Sequence, residues 1–520
     1  MSKVQQLTPK QAAELINDGD KVVLGGFIGA VVPEALERAV GERFVTTGHP
    51  KNLDLIFAAG QGDGKGKAVD HLSHEGMVKH AIGGHWGLIP RLQKLANDGK
   101  ITGFNLPQGI ICQLFRDSAA GKPGCISHVG LGTFVDPRIE GGKINTQTKE
   151  DRVRLMEVSG QEFLFYSRLD GDVALLRGTT ADENGNISME DECLVLENLA
   201  IAQLVHNGGG KVIVQVKKIV PTGELTPHTV RIPGIFVDAV VISTPETHMQ
   251  TFEEPMNPAY VGRGAASDLK RQVPTPRPLD AKKIIARRAA IELKKGAIVN
   301  YGIGAPEVIA EVTDEEGISD SIISTVEPGA IGGTPSGGLS FGASAFPEAI
   351  ITQDQMFDFY DGGGLDQAFL GLAETDTKGD INVSKFGSKI AGCGGFINIT
   401  QNAKQVFFCG TFTAGRSEIY AENGALTIVE DGPIDKFIEQ VQQITFSSDT
   451  ARSNQKPVMY ITERAVFKLT ESTIELVEIA PGIDLEKHVL ARMQFRPKIS
   501  MVLKLMETRI FVEEEMGLTL

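Results

Sequence analysis

Apolar residues in this chain follow two alternating patterns. Short continuous runs rich in β-branched residues, such as Lys211-Val212-Ile213-Val214-Gln215-Val216 and Ala239-Val240-Val241-Ile242, alternate with stretches whose apolar positions return at helical spacing. A strand that is apolar on both faces needs cover on both, so this alternation predicts a mostly parallel, helix-covered sheet in an α/β fold. Near the C-terminus the pattern changes. The apolar runs at 458–462, 465–469 and 474–479 follow too closely for crossover helices, which predicts an antiparallel meander.

The pattern occurs twice. Residues 12–23 lead into Gly25-Gly26-Phe27-Ile28-Gly29 and Pro33-Glu34, and residues 289–299 lead into Gly302-Ile303-Gly304-Ala305-Pro306-Glu307. Each is a helix, a strand and a glycine turn. Further on, Asp172, Ala174, Leu176, Asp182, Gly185 and Ile187 recur 194 positions later as Asp366, Ala368, Leu370, Asp376, Gly379 and Ile381. That period is far beyond the solenoid range and implies one domain copied once. Pro255, Pro258, Pro274, Pro276 and Pro278 among charged and small residues read as a linker. The expected organisation is an N-terminal domain over 1–250, a linker over 251–280 and a C-terminal domain over 281–520.

A carboxylate stands where an apolar run gives way to a turn. Ile322-Ile323-Ser324-Thr325-Val326 reads as a strand, and Glu327-Pro328-Gly329 follows it. The proline holds Glu327 in the extended region, and the ends of strands are where open α/β sheets place their chemistry. Most glutamates at such a point would face solvent, so its company matters. Gly302-Ile303-Gly304 precedes a helix start, whose free N–H groups suit anions or oxyanions, although a lone Gly-x-Gly turn is weak evidence. Ala391-Gly392-Cys393-Gly394-Gly395 is a second backbone-exposing loop, and a third strand, at 407–409, ends in Gly410 and small residues.

These segments, together with Gly83-Gly84-His85-Trp86-Gly87, Asn105-Leu106-Pro107-Gln108-Gly109, residues 132–138 and residues 357–366, resemble the family I coenzyme A transferases along essentially the whole chain. Within that family the chain looks most like the single-chain propionate and acetate CoA-transferases. Thr325-Val326-Glu327-Pro328-Gly329 matches the motif of the nucleophilic glutamate, with Pro328 where relatives commonly carry a small polar residue. The resemblance implies that Glu327 is the nucleophile and that Gln108, Gly394 and Gly395 supply oxyanion donors. It also implies that Gly26, Gly29, Gly302, Gly304 and Ala305 contact the coenzyme. Coenzyme A would be a substrate and not a permanently bound cofactor, acyl-CoA and short-chain carboxylates the partners, and a homo-oligomer the assembly. An acyl-CoA hydrolase, or a non-catalytic CoA- or metabolite-sensing module, are the alternative readings.

Composition narrows the remaining classes. A net charge of −15 offers no basic stripe for nucleic acid. Five scattered cysteines without a C-x-x-C pair suggest neither a disulfide framework nor a zinc site, and a reducing, cytoplasmic compartment is expected. No run approaches the length of a membrane span, and the first residues are polar. His71, His74, His80 and His85 read as helix-surface and loop histidines and not as metal ligands. Residues 60–67 read as a mobile glycine loop.

Overall fold

The computed structural model describes residues 4–264 and 277–520. They gather into two compact units. The first comprises Met1–Arg263, Val326–Asp358 and Lys385–Asn398, and the second Gly264–Thr325, Phe359–Ser384 and Ile399–Leu520. Two later segments of the chain therefore pack with the N-terminal portion. Pro274 and Pro276 of the expected linker lie outside the described residues. Residues 250–263 are folded within the first unit: the Gln250 side chain donates to Asp191 O at 2.8 Å, and the Thr251 hydroxyl lies 2.8 Å from that of Ser340.

The first unit is built on strands β1 (Gln5–Leu7), β2 (Lys21–Phe27), β3 (Leu53–Ala59), β4 (Val78–Gly83), β5 (Thr102–Asn105), β6 (Val173–Arg177), β7 (Lys211–Val216) and β8 (Ala239–Ile242). Their order across the sheet is β1-β8-β7-β6-β2-β3-β4-β5, and every neighbouring pair is parallel. β6 is buried at every position, as a strand covered on both faces must be. Helices α1 (Glu34–Thr47), α2 (Gln108–Ala119) and α3 (Asn198–Asn207) belong to this unit, and α2 packs on α3. Arg177, at the end of β6, is a buried cation that needs a partner. Its guanidinium lies 2.9 Å from Glu192, whose other oxygen is 3.2 Å from His248 Nε2. Burial pushes the Glu192 carboxyl up, but Arg177 and His248 outweigh it and hold it at about 2. Arg177 also donates to Val32 O at 3.3 Å, fixing the chain that leads into α1.

The second unit carries β9 (Ile298–Tyr301), β10 (Ile323–Thr325), β11 (Gln367–Gly371), β12 (Gln405–Cys409), β13 (Val458–Ile461), β14 (Ala465–Leu469), β15 (Ile474–Ile479) and β16 (Lys498–Leu505). The order is β10-β9-β11-β12-β13-β14-β15-β16. β10 through β13 pair in parallel, and β13-β14-β15 form the expected antiparallel meander. The apolar pattern does not announce β16, which returns parallel to β15 and exposes Met501, Val502 and Leu505.

The duplication is visible bond by bond. β6 and β11 stand 194 positions apart end to end. In the first copy Asp172 Oδ2 accepts from Lys21 N at 2.8 Å at the start of β2, and in the second Asp366 Oδ2 accepts from Ile298 N at 2.9 Å at the start of β9. Asp182 and Asp376 each accept from the backbone amides of the turn that follows them. The turns contain Gly185 at φ 84° and Gly379 at φ 93°, a region that glycine enters without steric cost. The cysteines at 112, 125, 193, 393 and 409 are all free and buried. Burial pushes the Cys193 thiol to about 12 and raises those of Cys112, Cys393 and Cys409 as well.

Candidate active site

Glu327 stands two residues after the last residue of β10 in the chain and is buried, with 9% of its surface exposed. The turn around it is closed by Val326 N donating to Ala330 O and Gly329 N donating to Val326 O, both at 3.0 Å. Gly329 has φ 126°, and a Cβ there would meet Ile351 O at 2.1 Å, so only glycine completes this turn. Gly342 lies between neighbours that include both the Pro328 ring and the Phe27 ring, which brings the turn close to the end of β2. The carboxylate is thus held by a backbone with little freedom.

A second set of residues in the same unit is stitched together by one asparagine. Asn105, at the end of β5, donates from Nδ2 to Gly83 O at 2.9 Å and to Gly84 O at 2.6 Å, and its Oδ1 accepts from Cys393 N at 3.0 Å. The loop at 391–395 is fixed further by Trp86 N donating to Ala391 O and Gly394 N donating to Gly84 O, both at 2.8 Å. Gln108 then opens α2. Its backbone N–H donates to Gly394 O at 2.9 Å, and the next amide, of Gly109, donates to Asn398 Oδ1 at 3.2 Å. The helix start thereby satisfies two of the amides that every helix N-terminus leaves free. The Gln108 side chain is only 2% exposed, yet its Nε2 has no hydrogen-bond partner among the described residues. A buried amide left unpaired costs about 1–3 kcal/mol, so this open donor is a cost to the fold.

The profile of the family described as Coenzyme A transferase matches residues 7–243. The chain is 43% identical over 519 residues to acetate CoA-transferase YdiF of Escherichia coli K12, covering 100% of this chain and 97% of that protein. It is 44% identical over 520 residues to the caffeate CoA-transferase of Acetobacterium woodii, covering 98% of each. The crystal structure of YdiF from Escherichia coli O157:H7, described as a thioester complex with CoA, superposes with a TM-score of 0.94 at 42% identity, covering 100% of this chain and 98% of that one.

This chain belongs to the coenzyme A transferases.

Within this CoA transferase, Glu327, Gln108, Gly394, Gly395, Gly26 and Gly29 all fall in the first unit, whereas Gly302, Gly304 and Ala305 fall in the second. Gly26 and Gly29 are tightly enclosed by protein. A Cβ at Gly26 would meet the Gln61 side chain at 2.6 Å, and one at Gly29 would meet Leu339 O at 2.7 Å and Phe252 N at 2.8 Å. Close packing therefore accounts for these two glycines without a ligand. At the other loop, Gly304 has φ 98° with open space about it, Ala305 is buried, and Ile303 is half exposed. Burial pushes the Glu307 carboxyl up, with the Gly304 amide opposing the shift.

Two residues given no role from the sequence, Asn105 and Asn398, prove structural. Asn105 and Asn398 hold the loop at 391–395 and the start of α2, and the available signal was a polar residue at a strand end and another just after a glycine loop. Of the histidines, His80 lies on β4 and not on a helix or loop, because its neighbours Val78, Ala81 and Ile82 complete the apolar strand. Residues 60–67 form a bonded loop: Gly62 N donates to Ile28 O, Gly64 N to Leu88 O, and Asp63 Oδ1 accepts from Lys65 N and Lys67 N. Among the described residues no cluster of His, Cys, Asp and Glu could hold a metal, and no helix is long and apolar enough to cross a membrane.

Proposed function

We propose that this enzyme moves CoA between short-chain acyl-CoA esters and short-chain carboxylates by a ping-pong route through Glu327. The observation that carries the reading is a buried carboxylate on a stiff turn in the same compact unit as the unpaired amide of Gln108. A carboxylate is already ionised at neutral pH and needs no general base. Glu327 attacks the acyl-CoA carbonyl, the C–S bond breaks, and CoA leaves as the thiolate with an acyl-glutamyl anhydride behind it. The thiolate then attacks the glutamyl carbonyl, the first carboxylate departs, and a glutamyl-CoA thioester remains. An incoming carboxylate runs the same steps in reverse.

Each addition forms a tetrahedral oxyanion, and Gln108 Nε2 with the amide of Gly395 are the proposed donors; the expected Gly394 amide is not among them, because it is already spent on Gly84 O. Coenzyme A is a substrate throughout. The assembly is proposed to be a homo-oligomer, to be checked by light scattering, and the five buried thiols suit a reducing cytoplasm. The relatives' names span acetate and caffeate, so a panel of acids from acetate to caffeate tested against one acyl-CoA would define the range. Incubation with acyl-CoA, borohydride reduction and peptide mass spectrometry should modify Glu327 alone. Glu327→Gln in freshly prepared protein should abolish turnover with the melting temperature retained. An active enzyme with unmodified Glu327 would overturn the scheme.

A further inference from the structure

His85 is a polar side chain that the scheme above does not use. Its backbone forms a bridge with Gly392 just beyond the end of β4. Its ring lies over Gly87, where a Cβ would come within 3.1 Å of both Cε1 and Nε2, so the glycine makes the room that the imidazole occupies. The point where a Cβ would stand on Gly394 is 3.6 Å from Gln108 Oε1 and 3.9 Å from His85 Cβ, so the two side chains flank the same residue. His85 Nδ1 is buried without a hydrogen-bond partner among the described residues. Two unpaired nitrogens, Gln108 Nε2 and His85 Nδ1, therefore belong to side chains that both approach one glycine.

Resting on the proposed Glu327 route, we propose that His85 is a substrate-binding residue that donates from Nδ1 to an oxygen of the carboxylate entering beside Gln108. The imidazole is neutral at working pH, since burial and then Lys389 bring it down to about 4. Neutrality suits the task. The acceptor arrives as an anion but passes its charge to the oxyanion as it attacks, so a fixed cation at this position would stabilise the bound acid more than the transition state. A neutral donor orients the acid without that loss.

The test compares wild type with His85→Phe and His85→Ala, which lack the donor, and His85→Asn, whose amide stands near the position of Nδ1. A hydrogen bond to a charged group corresponds to roughly ten- to hundredfold in affinity. The acceptor KM should rise by about that factor in the Phe and Ala variants and recover in His85→Asn. Formation of the Glu327–CoA adduct from acyl-CoA should persist in all of them and also reports that each variant is folded. An unchanged acceptor KM in the variants that form adduct, or a fall in kcat alone that Asn does not rescue, would overturn the role of His85. Absence of the adduct in the wild type would instead overturn the Glu327 scheme.

Discussion

At the scale of single residues, Gln108 and Glu197 show two uses of a buried polar group. A donor aimed at developing charge acts mainly in the transition state, so Gln108→Ala should lower kcat by roughly a hundredfold while the acyl-CoA KM changes little. A change confined to KM would make Gln108 a binding residue. Glu197, just before α3, has both carboxyl oxygens buried without partners among the described residues, and burial lifts it to about 8. The folded protein then binds a proton that the unfolded chain releases near 4.5, so this group's contribution is intact at low pH and is lost progressively as pH rises from about 4.5 to about 8. Thermal melts of Glu197→Gln and wild type should diverge between pH 5 and pH 8 in favour of the variant. Parallel curves would show that the carboxyl is ionised or paired in solution.

At the scale of elements, the enzyme depends on how a few strand ends are tied together. Asn105→Ala removes bonds to Gly83, Gly84 and Cys393 at once and leaves the Cys393 amide buried without its acceptor. A loss of about 1–3 kcal/mol is expected by denaturant unfolding, accompanied by lower kcat as the Gly394 loop loosens. Strands with continuous β-branched cores, the meander and the repeat were legible in the sequence because each leaves a local period or a constant offset. The place of Glu327 on a turn after a strand was legible for a related reason, being a charge where an apolar run stops. The role of Asn105 was not, because its partners at 83, 84 and 393 share no local pattern with it. Nor was β16, whose residues are mostly exposed and carry no buried face for an alternation to mark.

At the scale of the whole molecule, the sequence suggested two halves in tandem, and the duplication is real at the level of Asp172 and Asp366. Packing nonetheless draws segments 326–358 and 385–398 into the first unit, so Glu327 and Gly394 join Gln108 there. Local periodicity cannot reveal such long-range exchange, since a turn looks the same whichever neighbour it packs against. The buried cysteines carry a practical consequence. A chromogenic disulfide reagent such as DTNB should find no reactive thiol on the native protein and five after denaturation, which a simple titration checks. The folded enzyme would then be colourless in that assay, so any sulfhydryl signal during turnover would come from coenzyme escaping to water. Leakage of the thioester could thus be counted directly against transfer, in one cuvette, with the enzyme present at substrate concentration.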